Sequence, residues 1–276
     1  MKVIWFNGNF GNQIFYCAYK DYLQEKFPKE KIYAYIDAKC PPVKVEERSN
    51  LKLPKRSAWV NVVSFLVFKV IGVFFRRIPL KYVPKWYCGR GVLNDNATFI
   101  GHSMQENYYY ANKDSQWLNI GKNSGLSADY LNFESKIGSC DAICVHVRRG
   151  DYVKQGSHYE DLSVTDYYDK AIELAKSRYP KGKLFFFSDD LEYVKGHFKN
   201  ENACFVNCNK GSDGFLDMKL MSLAKVNIMA NSTFSYWGAY MGHENKLVIY
   251  PKRWFTEASG RKAPDIMLEK DNWIGL

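Results

Sequence analysis

Hydrophobic and polar positions along the chain repeat one grammar: a short apolar run, a few small or charged residues, then apolar residues at helical spacing. Lys2 to Phe6 reads as a strand, Gly8-Asn9-Phe10-Gly11-Asn12-Gln13 as a glycine turn, and Ile14 to about Phe27 as a helix. Ala142 to Asp151 is a β-branched run that ends in Arg148-Arg149-Gly150-Asp151. Lys183 to Asp190 repeats the pattern, with Leu191 to Phe198 as its helix and Ser188, Asp189 or Asp190 as the N-cap. In the fourth copy Val226, Ile228, Met229 and Ala230 form the strand, Asn231-Ser232-Thr233 the turn, and Phe234 to Met241 the helix. Ser163 to Tyr179, with Tyr168, Ala171, Ile172 and Ala175 on one face, is a crossover helix closed by Pro180. Four strand–turn–helix units predict an α/β fold with open, mostly parallel sheets, whose ligands bind beyond the carboxyl ends of the strands. Helix N-termini at such an edge present unpaired N–H groups and partial positive charge, which favours phosphate.

The longest apolar stretch, Ala58 to Phe75, breaks this rhythm. Its polar members Asn61, Ser64, Lys69 and Gly72 would form a narrow stripe on a helix with a very broad apolar face. Charge then changes the picture. Between Lys39 and Arg90 twelve Lys and Arg stand against only Glu46 and Glu47, which accounts for the whole net charge of +10. Lys69 in mid-run, with Lys52, Lys55 and Arg56 before and Arg76, Arg77 and Lys81 after, argues against a membrane span. A helix lying in the interface of an anionic membrane, a core helix of the first domain and a patch for an anionic substrate remain open. The flanking charge favours the first. Nucleic acid is disfavoured as a partner, since the basic residues do not interleave with any known binding module.

At 276 residues the chain accommodates two domains of ordinary size. Seven cysteines without a Cys-x-x-Cys pair, and without a signal peptide, predict reduced thiols and a cytoplasmic setting. No His spacing accompanies Cys140/Cys144 or Cys204/Cys208, so a structural zinc is not expected.

Chemistry concentrates where the strands end. Arg148 and Arg149 deliver fixed positive charge to a sheet rim, and a guanidinium fork suits phosphate oxygens. The competing reading is a solvated loop with surface ion pairs. His146, inside the strand, reads as a hydrogen-bonded core histidine rather than a proton shuttle. Tyr236 and Trp237 read as core packing.

On these residues the chain resembles the α1,2-fucosyltransferases of glycosyltransferase family 11, especially bacterial members. His146 to Val153 looks like that family's first donor motif, Phe186 to Asp190 its second and Asn231 to Ala239 its third. Gly8 to Phe15 is similar to its N-terminal glycine signature, with Asn9 in place of the second glycine; Gly101 to Tyr109 matches a further segment at Gly101, Gln105 and Tyr109. The resemblance implies a GT-B-like architecture of two Rossmann-like domains facing across a cleft. Residues 1–138 would form the acceptor side, including the basic apolar helix near 58–77, and 139–276 would bind GDP-fucose. It further implies inverting transfer of L-fucose to a galactose hydroxyl of a surface polysaccharide, on an acceptor that could be lipid-linked, by a protein peripheral to the inner membrane.

Roles follow motif by motif. Arg148 would clamp the β-phosphate with His146 in the same donor site, while Arg149 would assist or brace Asp151, or form a structural ion pair. Asn231, Ser232, Thr233 and the amide of Phe234 would cap the pyrophosphate. Asp189 and Asp190 would accept from guanine or ribose, or cap a helix. Gly11, Asn12 and Gln13 would reach toward fucose or acceptor. No Asp-x-Asp pair occurs, so no metal is expected, the arginines and a helix terminus supplying the charge; GDP-fucose is then a substrate and no cofactor is called for. Asp151, Glu106, Glu160 and Asp161 are all arguable as the base. A transferase of the same fold with another sugar or linkage, and a non-catalytic basic membrane-binding protein, are the alternatives.

Overall fold

The computed structural model describes residues 1–36, 57–75, 77–79, 82–88, 94–101, 125–154, 158–198, 203–242, 245–261 and 272–276. Glu106, Gln105 and Tyr109, Cys40, and the basic residues at 39–56, 76, 81 and 90 lie outside them. The chain divides into Met1–Asn119 and Ile120–Leu276.

In the first unit β1 (Lys2–Phe6) is followed by α1 (Phe10–Lys26) and β2 (Ile32–Ile36). A helix from Ala58 to Phe75, here α2, carries a π-helical segment at Leu66–Ile71. Two short strands, β3 (Tyr87–Cys88) and β4 (Phe99–Ile100), complete a parallel sheet in the order β2-β1-β4-β3. One face of α2 packs into this unit's core through Val60, Val67 and Phe68. Phe68 stacks on Trp5 and Tyr35, with ring centroids 5.3 and 5.7 Å apart. Burying an aromatic ring on one side is what anchors an otherwise apolar helix. The core reading of α2 therefore holds for one face only.

The second unit opens with α3 (Ala128–Gly138), capped by Ser127, whose hydroxyl accepts from the Tyr130 N–H at 3.1 Å. This helix packs on α6 (Leu216–Ser222) and so stands with the second unit rather than ending the first at residue 138. The remaining elements are β5 (Ala142–Val147), α4 (Tyr167–Arg178), β6 (Lys183–Ser188), α5 (Leu191–His197), β7 (Ala203–Phe205), β8 (Val226–Ile228), α7 (Thr233–Tyr240), β9 (Leu247–Tyr250) and β10 (Trp273–Gly275). All six strands run parallel in the order β10-β9-β8-β5-β6-β7. Read from β7, this is the doubly wound 3-2-1-4-5-6 arrangement, in which the chain reverses its direction of winding between β5 and β8. Every residue of β5 is buried, as a strand covered on both faces requires. Trp237 and Tyr236 are fully buried, as the apolar spacing of α7 predicts. Both units are thus α/β with parallel sheets.

Candidate active site

Two turns meet at the point where the winding of the second sheet reverses. β5 and β8 are hydrogen-bonded neighbours, with Val145 opposite Ile228. Beyond them, Arg148 to Asp151 follows β5, and Asn231-Ser232 leads from β8 into α7. Side chains tie the two turns together. The Tyr152 hydroxyl donates to the Asn231 carbonyl at 3.0 Å, and the His146 and Phe234 rings lie 5.4 Å apart. The Asn231 amide donates to the carbonyls of Glu160 and Trp254 at 2.8 and 2.9 Å. Ser232 is the N-cap of α7, its hydroxyl accepting from the Phe234 N–H at 3.2 Å, and Thr233 is the first helical residue.

The two arginines divide their work differently from expectation. Arg148 reaches Asp151 at 2.6 Å through one terminal nitrogen and Asp189 at 3.0 Å through the other. Arg149 leaves Asp151 alone: it pairs with Asp190 at 3.1 Å, donates to Ser163 and lies flat on Tyr193, 3.5 Å from the ring centroid. Arg149 is thereby a structural brace between two motifs, and it is Arg148 that holds Asp151. Asp151 is half exposed, so its bond to Arg148 is the most easily exchanged of the set. Asp190 also caps α5, accepting from the Tyr193 N–H at 3.2 Å, and Asp189 accepts from the Arg149 N–H at 2.9 Å. Helix capping and arginine bracing thus engage both acids. Gly150 is required by close approach: a Cβ there would stand 2.4 Å from an Asp189 oxygen.

His146 is buried, and burial is the main reason its pKa is lowered to about 4, with Asp189 opposing and Arg148 assisting. A neutral imidazole follows at physiological pH, which agrees with a core histidine. Its Nδ1, however, has no hydrogen-bond partner among the described residues, so that part of the expectation fails; Asn231 Oδ1, equally buried, has none either. Of the arguable bases, Asp161 accepts from the backbone N–H and hydroxyl of Ser163 at 3.0 and 2.5 Å, and Glu160 lies 3.8 Å from Arg253. A parallel stack of Tyr152 on Tyr159, 4.3 Å between centroids, flanks Arg148 and was not foreseen; the aromatic spacing around Asp151 was its only signal.

In the first unit the glycine signature folds otherwise than expected. α1 begins at Phe10, so Gly11, Asn12 and Gln13 belong to its first turn and not to the loop. The turn proper is Asn7 to Asn9, with Gly8 at φ +78°, where a side chain would also strike Asn12. Asn9 is the extended N-cap at φ −77°, a conformation that needs no glycine, which explains why the replacement is tolerated. Gln13 is buried and donates to the Gly8 carbonyl at 3.3 Å, so it braces its own turn.

Strand order and the position of the turns place the second unit in the Rossmann class. The family model described as Glycosyl transferase family 11 matches residues 93–276, and the chain belongs to that family. It is 37% identical over 142 residues to the O-antigen biosynthesis glycosyltransferase WbnK of Escherichia coli, covering 50% of this chain and 45% of that protein. It is 33% identical over 171 residues to an α-1,2-colitosyltransferase of Escherichia coli, covering 60% and 58% respectively. A galactoside α-(1,2)-fucosyltransferase 2 of Rattus norvegicus is 28% identical over 103 residues, covering 36% and 29%. The chain thus spans about half the length of the first two relatives. Among solved structures, the ADP-heptose LPS heptosyltransferase II of E. coli is similar at 11% identity with a TM-score of 0.48, covering 100% of this chain and 90% of that one.

Proposed function

We propose that this chain is an inverting glycosyltransferase that moves L-fucose from GDP-β-L-fucose to a galactose hydroxyl in α1,2 linkage, during surface polysaccharide assembly. The observation that carries the proposal is the meeting of the Arg148 turn and the α7 start at the winding reversal of a parallel sheet, where α/β proteins bind ligands. Two buried polar atoms there, His146 Nδ1 and Asn231 Oδ1, lack protein partners among the described residues. Leaving such groups unmet costs roughly 1–3 kcal/mol each, so strain is held where the two turns meet. Family membership and the fucosyl relative support the sugar class.

In this mechanism the acceptor oxygen attacks the anomeric carbon from the face opposite the nucleotide. The bond between that carbon and the phosphate oxygen breaks, and its electron pair stays with the departing GDP. Arg148 has N–H donors beyond those used on Asp151 and Asp189 and takes the β-phosphate, while Arg149 holds the turn rigid. One such preorganised contact is worth roughly 3 kcal/mol by analogy with oxyanion holes. The Ser232 hydroxyl, whose oxygen accepts from the Phe234 N–H, offers its own proton as a further donor. The acceptor proton passes to a carboxylate, to phosphate or to water. Residues 1–119 would supply the acceptor side of a GT-B arrangement, and the charge of Arg148 would stand in for a metal ion.

A second reading replaces fucose by colitose, favoured by the higher identity and wider coverage of the colitosyl relative. The test is incubation with a panel of GDP-, UDP- and dTDP-sugars and a galactoside, in EDTA, with assay of the released nucleotide. Release of GDP from GDP-fucose that depends on the galactoside is expected. Release from a colitosyl donor alone would select the second reading, and release of UDP or dTDP alone would overturn both.

A further inference from the structure

We infer that the outward face of α2 docks on an anionic lipid surface. One face of this helix is committed to the core, but Trp59 is 73% exposed and Phe74 65%, and Val62, Phe65, Leu66 and Val70 lie open beside them. Soluble proteins seldom leave so large a contiguous apolar surface without an occupant. Directly after the helix Arg77, Ile78, Tyr82, Lys85 and Trp86 are exposed, mixing aromatic rings with cations as interfacial segments do.

Three occupants compete, and charge and packing separate them. A membrane span would leave apolar residues exposed on every side, whereas Val60, Val67 and Phe68 are buried against this unit's own sheet and would be torn from it. A second copy of the same face would bring together two chains that each follow this helix with exposed Arg77 and Lys85 and carry twelve cations against two acids in the sequence from 39 to 90. An anionic bilayer complements both features, taking Trp59 and Phe74 into the headgroup boundary and the Lys and Arg at the phosphates. Binding of this kind brings the protein to a membrane surface. The inference is independent of the donor sugar, since it concerns the first unit alone.

The test uses the full chain with phosphatidylcholine vesicles, with and without phosphatidylglycerol, in sedimentation at low and high salt. Binding to the anionic vesicles only, weakened by salt, is expected. Trp59→Ser with Phe74→Ser should weaken binding roughly tenfold or more while leaving Tm unchanged. Arg77→Glu with Lys85→Glu should weaken it without altering the apolar face. Wild-type protein that stays in the supernatant, or a double serine variant that binds equally well, would overturn the inference. So would a solution dimer, seen in sedimentation velocity, that the serine variant converts to monomer.

Discussion

The two units handle charge and apolar surface in opposite ways. In the second, the charges at the sheet rim are paired, two arginines with three carboxylates: Arg148 with Asp151 and Asp189, Arg149 with Asp190. In the first, α2 leaves Trp59 and Phe74 in the open, near a segment whose cations far outnumber its acids. α7 is the less apolar sequence of the two, yet it buries Tyr236 and Trp237 completely while α2 buries only one face. Hydropathy by itself therefore does not reveal what covers a helix. Paired charge at a rim suits a site that must hold one geometry, and a basic sequence beside exposed rings suits a surface that meets an extended partner.

The sharpest way to break this contrast is to detach α2 from its sheet. Phe68→Ala removes the ring that lies against Trp5, Tyr35, Tyr87 and Phe99. It should cost about 3–5 kcal/mol in chemical denaturation, as large core truncations do. A loss below about 1 kcal/mol would mean that α2 is held from outside rather than by its own core.

A smaller effect sharpens the other half of the comparison. His146 titrates at about 4 in the folded chain because burial disfavours its charge, against an unfolded value near 6.5. A depressed histidine pKa means that the unfolded chain binds the extra proton, so stability is complete above pH 6.5 and declines as pH falls toward 4. About 2 kcal/mol should be lost by pH 5. Asp217 works in the opposite sense, since burial raises its pKa to about 7, so the informative quantity is the difference between wild type and His146→Gln. The variant should lose less stability between pH 7.5 and 5 than wild type. Parallel curves would show that His146 is not the group responsible.

Much of this was legible in the strand–turn–helix grammar, because buried parallel strands are short apolar runs and their turns must be polar. The β5, β6 and β8 runs and the turns that follow them stand where the pattern puts them. What stayed hidden is long-range. No local spacing tells Arg149 to choose Asp190, which is 41 residues away, over Asp151, two residues away. The start of α1 was misplaced because Asn9 can cap a helix in extended backbone, so the glycine signature extends into the helix. Which side of α2 faces the core was equally hidden, since Phe68 and Phe74 read alike until Trp5 and Tyr35 claim one of them.

The central claim is that Arg148 meets the leaving nucleotide while Arg149 only holds the turn. The direct measurement is the rate of GDP release at saturating GDP-fucose and acceptor for Arg148→Ala beside wild type. A fall of roughly 10²–10³-fold with an unchanged Tm is predicted; undiminished turnover in the variant would contradict the account.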